Sequence, residues 1–285
     1  MSGLDTRARA KLNLSLDVLA RRPDGFHDLR MVMQAAALAD EVHVELREPG
    51  FFRAETNRSY IPTDERNIAV KAAKAYFEAA GIDSGAYIKI TKRIPVCAGM
   101  AGGSSDAAAV LRALNRRAGE PFSPRELAKI GERVGSDVPY CVLGGTALAE
   151  GRGEMLTPLA PLPRCWVVAC KPDFPISTPE LFAQADRVKL RRRPDTAGLV
   201  AALEAGDLGG VARRMYNVFE DVLPERRRAE IMDIKNALIQ YGALGAAMSG
   251  TGPTVFGLFD RLEAAQEARA CLAQRYRDTF LCETV

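Results

Sequence analysis

The stretch "PVCAGMAGGSSDAAAVL" at residues 95–111 constrains this chain more than any other. Ten of the thirteen positions from 97 to 109 are Gly, Ala or Ser. Such residues let a backbone turn tightly and let another group come close to it. Upstream, "AYIKITKRIPV" alternates as a half-buried strand does. Downstream, the alanine-rich run predicts a helix from about Ser104 or Ser105 to Arg117, ending near Gly119. Strand, loop and helix in that order place the small residues beside a helix N-terminus, where unpaired N–H groups and about half a positive charge favour an anion. Ser104 and Ser105 add hydroxyls able to touch phosphate or Mg2+. The stretch is not a Walker loop, because no Lys follows Gly102 or Gly103, and Met100-Ala101 after Gly99 breaks GxGxxG. Simple tight packing accounts for the small residues equally well at this point.

Elsewhere the chain mixes both periodicities. In "KLNLSLDVL", Leu12, Leu14, Leu16 and Val18 share one strand face and Lys11, Asn13, Ser15 and Asp17 the other. That polar face either meets solvent or points into a site. Pro-Asp-Gly in "RRPDGFHDL" is a turn, and "EVHVEL" is a strand with His43 on its wet side. Residues 67–80 are predicted helical, stopped by Gly81. "SPRELAKIGERVG" opens with a Ser123–Glu126 capping box and Pro124, and is expected to run to Gly135. In "SDVPYCVLGG" Pro139 blocks helix continuation, which leaves Asp137 in a turn. "CWVVAC" is a buried strand, "STPELFAQADRV" carries a second capping box from Ser177 to Glu180, and two or three helices follow up to about Tyr241. "GAAMSGTGPTVFGLF" is strand, glycine turn and strand, and "DRLEAAQEARACLAQRY" is a helix. Strands and helices do not alternate strictly, so the expected class is α+β. The three prolines of "PLAPLPR" (158–164) mark the best boundary, giving domains 1–157 and 158–285.

Composition narrows the function. With 285 residues, 47% apolar, the chain has material for two domains. No apolar run approaches the roughly 20 residues that span a bilayer, and "MSGLDTRARAKLNL" lacks a signal-peptide apolar segment, so an unexported, cytoplasmic protein is expected. A net charge of +3 is too small to argue for nucleic acid, and "KLRRR" (189–193) and "RRR" (226–228) read as solvated faces. Only two histidines, His27 and His43, disfavour a His-rich zinc site or a Ser-His-Asp triad. Six cysteines without a C-x-x-C pair suit a reducing compartment. A second glycine cluster, "SGTGPT" (249–254), is able to flank the same polyanion as the first. With Lys11, Lys92 and Asp137 the chain then holds the parts of a phosphoryl-transfer site, whose demands are mostly positioning and electrostatic stabilisation.

Taken together, "KLNLSL", "PVCAGMAGGSS" and "MSGTGPTVF" resemble, in order and over nearly the whole chain, the motifs of the GHMP small-molecule kinases, which include galactokinase, homoserine kinase and mevalonate kinase. "AKLNLSLDVLARRPDGFHDL", "GSDVPYCVLGGTALAEGRGE" and "ISTPELF" are similar to the branch acting on 4-diphosphocytidyl-2-C-methyl-D-erythritol. That resemblance implies a two-domain fold with its site in the cleft between domains, ATP and Mg2+, a cytidine diphosphate substrate, and no nucleic-acid or membrane partner, in a monomer or homodimer. It further implies that Asp137 accepts the hydroxyl proton and that Lys11 holds Asp137 ionised and steadies the phosphoryl charge. ATP would be bound by Pro95, Val96, Cys97, Ala98, Gly99, Met100, Ala101, Gly102, Gly103, Ser104 and Ser105, with Asn67 and Lys92 near the nucleotide. Asn13, Phe26, His27, Thr178 and Phe182 would contact substrate, the aromatic rings by stacking on cytosine. No metal ligand is certain, with Ser104 or Ser105 the candidate Mg2+ contact. Homoserine, mevalonate or a sugar are rival acceptors, and a non-catalytic nucleotide- or RNA-binding protein is the rival from another class. Relatives carry glycine where Cys97 and Ala101 stand. The expectation is therefore that Gly99, Gly102 and Gly103 adopt positive φ and that Cys97 and Ala101 keep negative φ.

Overall fold

The computed structural model describes residues 3–285 and divides into two compact units. The first comprises the chain up to Ala10, Ala39–Val96 and Ala101–Gly144; the second comprises Lys11–Leu38, Cys97–Met100 and Gly145–Val285. Neither unit is continuous, whereas the proline-rich segment had suggested one cut at 157/158. Strands β1 (Leu4–Arg21) and β2 (His27–Arg47) are long enough that each contributes to both units. The apolar stretch after the Pro-Asp-Gly turn and the "EVHVEL" strand are one continuous β2.

In the first unit, β3 (Phe52–Thr56) runs parallel to β4 (Gly85–Thr91), and β4 pairs antiparallel with the later half of β2, from Glu41↔Thr91 to Arg47↔Gly85. Alternation in β4 buries Ala86, Ile88 and Ile90 and leaves Lys89 exposed, as the sequence pattern requires. The buried side packs with α1 (Ile68–Ala80) and α2 (Gly102–Arg117), completed by α3 (Pro124–Glu132) and α4 (Val138–Leu143). Ala107, Ala108, Ala109 and Ala113 keep α2 slim where it meets α1. Gly81 ends α1 in the left-handed region and Ser123 and Glu126 close a reciprocal capping box, both as read from sequence. Asn67, expected inside the helix, is instead its N-cap, and Ser177 accepts from the Glu180 N–H without the reciprocal bond of a full box. Helix α3 stops at Glu132, short of Gly135, and α2 begins two residues earlier than expected.

The second unit follows with β5 (Thr146–Gly151), β6 (Met155–Pro158), β7 (Trp166–Lys171), α5 (Thr178–Arg187), α6 (Thr196–Glu204), α7 (Leu208–Arg214), β8 (Tyr216–Asn217), α8 (Phe219–Val222), α9 (Glu225–Gln240), β9 (Gly245–Met248), β10 (Val255–Phe259), α10 (Leu262–Ala273) and β11 (Asp278–Glu283). An antiparallel sheet in the order β11-β7-β10-β9 has Val167–Cys170 fully buried in its interior. The earlier half of β2 pairs with β5, and the later half of β1 runs parallel to β8 through Ser15↔Tyr216 and Leu16↔Asn217. Here both faces of β1 are covered, so Lys11, Asn13, Ser15 and Asp17 are buried rather than solvated. Asp17 is held by Arg193, whose guanidinium also donates to the Val18 carbonyl at 2.6 Å, while Arg192 lies over Tyr216. Part of the "KLRRR" run therefore closes the fold. No helix among the described residues is long and apolar enough to cross a membrane. All six cysteines are free; burial pushes the Cys165 and Cys170 thiols up to about 11 and about 12, and Cys97 is the exposed one.

Candidate active site: two glycine turns, a polar strand face and a histidine platform

After β4 the chain passes Lys92, enters the 95–101 loop and begins α2. Positive φ occurs at Cys97 (53°), Gly99 (72°) and Ala101 (54°), with Ala101 at the N-cap of α2. This corrects the expectation in two ways. Cys97 and Ala101 adopt the left-handed conformation, and Gly102 and Gly103 do not, because they already form the first turn of α2. The reason is positional: the contacts that hold Gly99 and Met100 set the path of the loop, and the left-handed conformation falls where that path requires it, whatever side chain stands there. Gly102 is needed for space instead. A Cβ there would meet Ile94 Cγ2 at 3.2 Å and Lys92 Nζ at 3.3 Å. Gly103 is exposed, and a Cβ there would only touch Ile68 Cγ2 at 3.4 Å; Pro95, Ala98 and Met100 turn inward, and Val96 is half-buried.

The second glycine cluster supports the first. A Cβ on Gly99 would fall 2.1 Å from the Ser249 carbonyl and 2.8 Å from the Gly252 nitrogen, so only glycine permits this backbone contact. Ser249 Oγ donates to the Gly99 carbonyl at 2.9 Å and accepts from the Asn13 N–H at 3.3 Å. The Lys11 N–H donates to the Met100 carbonyl at 3.1 Å. Buried Asn217 clamps the turn from behind, its amide donating to the Met248 and Gly250 carbonyls at 2.8 and 2.7 Å. Residues 97–100, turn 249–252 and strand β1 are thereby fixed to one another inside the second unit. Ser249 was read from sequence only as the first residue of the "SGTGPT" cluster, and Asn217 was not singled out, since nothing in "RMYNVFED" marks it.

Lys11 is buried, and its ammonium donates to Asn13 Oδ1 at 2.8 Å. Asn13 in turn donates to Met31 Sδ at 3.3 Å. Asp137 belongs to the first unit, half-buried in the turn before α4 as read from sequence, with Pro139 as the helix's second residue. Its carboxylate does not cap α4. It lies close enough to Tyr140 that burial first, and then the Cys141 and Asp137 charges, drive that hydroxyl's pKa well up.

Two residues expected near the nucleotide are engaged by the protein. Asn67 Oδ1 accepts from the Ala69 N–H at 2.9 Å, and its amide donates to the Pro62 carbonyl at 2.7 Å. Lys92 is buried between two acids, bonding Asp40 and, at 2.6 Å, Asp106. Asp40 also accepts from the Arg93 and Ile94 N–H groups. Burial, opposed by Lys92, pushes the Asp106 carboxyl up to about 8, and its Oδ1 has no hydrogen-bond partner. This group fastens the segment entering the loop to the helix leaving it. Ser105 Oγ donates to the Arg9 carbonyl and sits 3.3 Å from Cys141 Sγ. Half-buried Ser104 is therefore the better placed of the two hydroxyls to meet a metal. No cluster of three or more His, Cys, Asp or Glu side chains able to hold a metal occurs among the described residues.

The remaining candidates gather in the second unit. Phe26 is 52% exposed, anchored by its N–H to Asp24 Oδ1 at 3.1 Å, with the Arg152 guanidinium 5.3 Å from its ring centroid. His27 is buried; its ring stacks on Phe182 at 4.7 Å and 23°, and its Nε2 lies 2.8 Å from Asp186 Oδ1. Phe182 meets Phe219 edge-on, so it backs His27 as well as offering surface. Thr178 exchanges a 3.0 Å hydrogen bond with Thr251, tying the start of α5 to the glycine turn.

The profile of the GHMP kinases N terminal domain matches residues 67–145, and that of the GHMP kinases C terminal domain matches residues 199–278. The first spans the loop, α2 and Asp137; the second spans Asn217 and the turn at 249–252. The chain is a GHMP kinase. It is 44% identical over 284 residues to a 4-diphosphocytidyl-2-C-methyl-D-erythritol kinase of Alkaliphilus metalliredigens, covering 100% of this chain and 97% of that protein. A kinase of the same name from Clostridium botulinum is 44% identical over 282 residues, covering 99% and 100%. The crystal structure of a 4-(cytidine 5'-diphospho)-2C-methyl-D-erythritol kinase superposes with a TM-score of 0.81 at 32% identity, covering 99% of each chain. The chain belongs to the 4-diphosphocytidyl-2-C-methyl-D-erythritol kinase family.

Proposed function

We propose that this protein transfers the γ-phosphoryl group of ATP to the 2-hydroxyl of 4-diphosphocytidyl-2-C-methyl-D-erythritol, yielding ADP and the 2-phosphate, in the non-mevalonate route to isoprenoid precursors. The observation that carries the reading is 44% identity, over the entire chain, to kinases of that name. The geometry agrees with it. A strained loop opens onto the N-terminus of α2, with exposed Gly103 and half-buried Ser104 in its first turn, and that arrangement receives a polyphosphate. The residues from Pro95 to Ser105 form the cradle, and Ser249 and Asn217 keep it in shape. Asn67 and Lys92 act from behind it, one capping α1 and the other fastening α2.

Asp137 takes up the hydroxyl proton as the oxygen–phosphorus bond forms, and Lys11 supplies positive charge to the transferring group. Asn13 orients the Lys11 ammonium through their 2.8 Å hydrogen bond. Phe26 offers a stacking face for the base while His27 reads its polar edge, with Phe182 behind the imidazole and Thr178 fixing α5. Mg2+ travels with the nucleotide, and its chemistry is to neutralise charge on the phosphates. Ser104 would be the protein oxygen to meet it. The protein works in the cytoplasm on a free small molecule.

The test is product formation. Purified protein, ATP and Mg2+ are incubated separately with the cytidyl substrate, homoserine and mevalonate, and phosphomonoester is followed by 31P NMR. Phosphorylation of the cytidyl substrate alone is expected; phosphorylation of homoserine without it would overturn the assignment.

A further inference from the structure

Helix α5 presents two groups to one imidazole. Phe182 and Asp186 are four residues apart, hence on the same helix face. Phe182 covers the plane of His27 at 4.7 Å, and Asp186 Oδ1 takes its Nε2 at 2.8 Å. The other Asp186 oxygen faces Arg21, 3.9 Å away at the surface. The ring is 8% exposed and cannot turn without losing both contacts. Its Nδ1 bonds to no side chain or backbone group among the described residues.

A carboxylate on one ring nitrogen keeps a proton there, and in the neutral imidazole the other nitrogen is then an acceptor. An acceptor in a buried polar site discriminates between pyrimidines. Cytosine offers an exocyclic amine at C4, a donor, whereas uracil offers a carbonyl oxygen, a second acceptor. Two acceptors facing each other leave both unpaired, and such mismatches are strongly rejected.

We propose that Asp186 is a specificity-determining positioning residue: by holding the proton on Nε2, it presents His27 Nδ1 as the acceptor that selects a cytidine over a uridine diphosphate ester. The proposal rests on the cytidyl-kinase reading, because it concerns the base of that substrate. Phe182 keeps the ring in plane, and the Ser177 cap with the Thr178–Thr251 bond fixes the helix that carries both residues.

The experiment compares the cytidyl substrate with its uridyl counterpart in wild type, Asp186→Leu and Asp186→Asn. Wild type is expected to prefer the cytidyl ester by at least about 100-fold in kcat/KM. In Asp186→Leu that preference falls tenfold or more, through KM of the cytidyl ester, with kcat and KM for ATP little changed. Asp186→Asn, whose amide oxygen still accepts from Nε2, restores most of the preference. Equal losses for both esters in Asp186→Leu would reduce Asp186 to a structural role and overturn the proposal. The 15N shifts of His27, measured without substrate, give an independent readout. A proton on Nε2 is expected in wild type and a mixture of tautomers in Asp186→Leu. A proton resting on Nδ1 in wild type overturns the proposal even if the kinase reading stands. Absence of turnover with either ester would fault the kinase reading while the tautomer remains measurable.

Discussion

The two glycine turns of this protein solve the same steric problem differently. At 249–252 the left-handed residues are Gly250 and Gly252, which lack the Cβ that penalises the conformation. In the 95–101 loop three left-handed positions are filled by Cys97, Gly99 and Ala101, so only one is glycine. A non-glycine residue pays about 1–2 kcal/mol for that geometry. It persists only where surroundings over-determine it. Here they do: Gly99 is locked to Ser249 and Gly252, Met100 to Lys11, and Ala101 opens a 16-residue helix. The unstrained turn is thus the template on which the strained one is held.

The largest expected effect lies outside both turns and separates chemistry from cradle. Asp137→Asn should lower kcat by roughly 10^2–10^4-fold while leaving ATP affinity within about twofold, as read by single-turnover kinetics and nucleotide titration. Near-normal turnover would remove Asp137 from its role.

Gly99→Ala attacks the contact between the turns. The new Cβ would meet backbone at 2.1 and 2.8 Å at a φ of 72°, so the two segments must part. Strain and overpacking each cost about 1–3 kcal/mol, enough to lower the melting temperature and weaken ATP binding together. Unchanged ATP affinity would mean that the 249–252 turn does not set the loop's shape. Ser249→Ala is the gentler version. It removes no volume to speak of but leaves the Gly99 carbonyl and Asn13 N–H without their shared partner, a loss of about 2 kcal/mol. KM for ATP should rise while KM for the second substrate stays near its original value.

What could be read from sequence follows the range of the interactions. Strand β4, the body of helix α2, the caps at Gly81, Ser123 and Ser177 and the Asp137 turn depend on neighbours a few residues away, and they stand where local patterning puts them. The positive-φ assignments failed because sequence shows which residues tolerate a conformation, not which positions the tertiary contacts demand. The pairings Lys92–Asp40 and His27–Asp186 join residues 52 and 159 apart, and no local pattern announces them. The interleaved units likewise arise because β1 and β2 each serve both, which a linear search for a linker does not reveal.

The smallest expected effect concerns Cys97 itself. Cys97→Gly removes a cost of about 1–2 kcal/mol in the folded loop, but glycine also loosens the unfolded chain by about 0.4–1 kcal/mol. The balance is a gain of about 1 kcal/mol or less, visible as a slightly higher melting temperature with kcat unchanged. Ala101→Gly should behave similarly. Cys97 is also the exposed thiol of the loop, unlike Cys165 and Cys170, so a maleimide should label it first and ATP should slow that labelling. A destabilised Cys97→Gly protein would show that the side chain contributes contacts outweighing its backbone strain. Labelling unaffected by ATP would place the nucleotide away from the strained end of the loop.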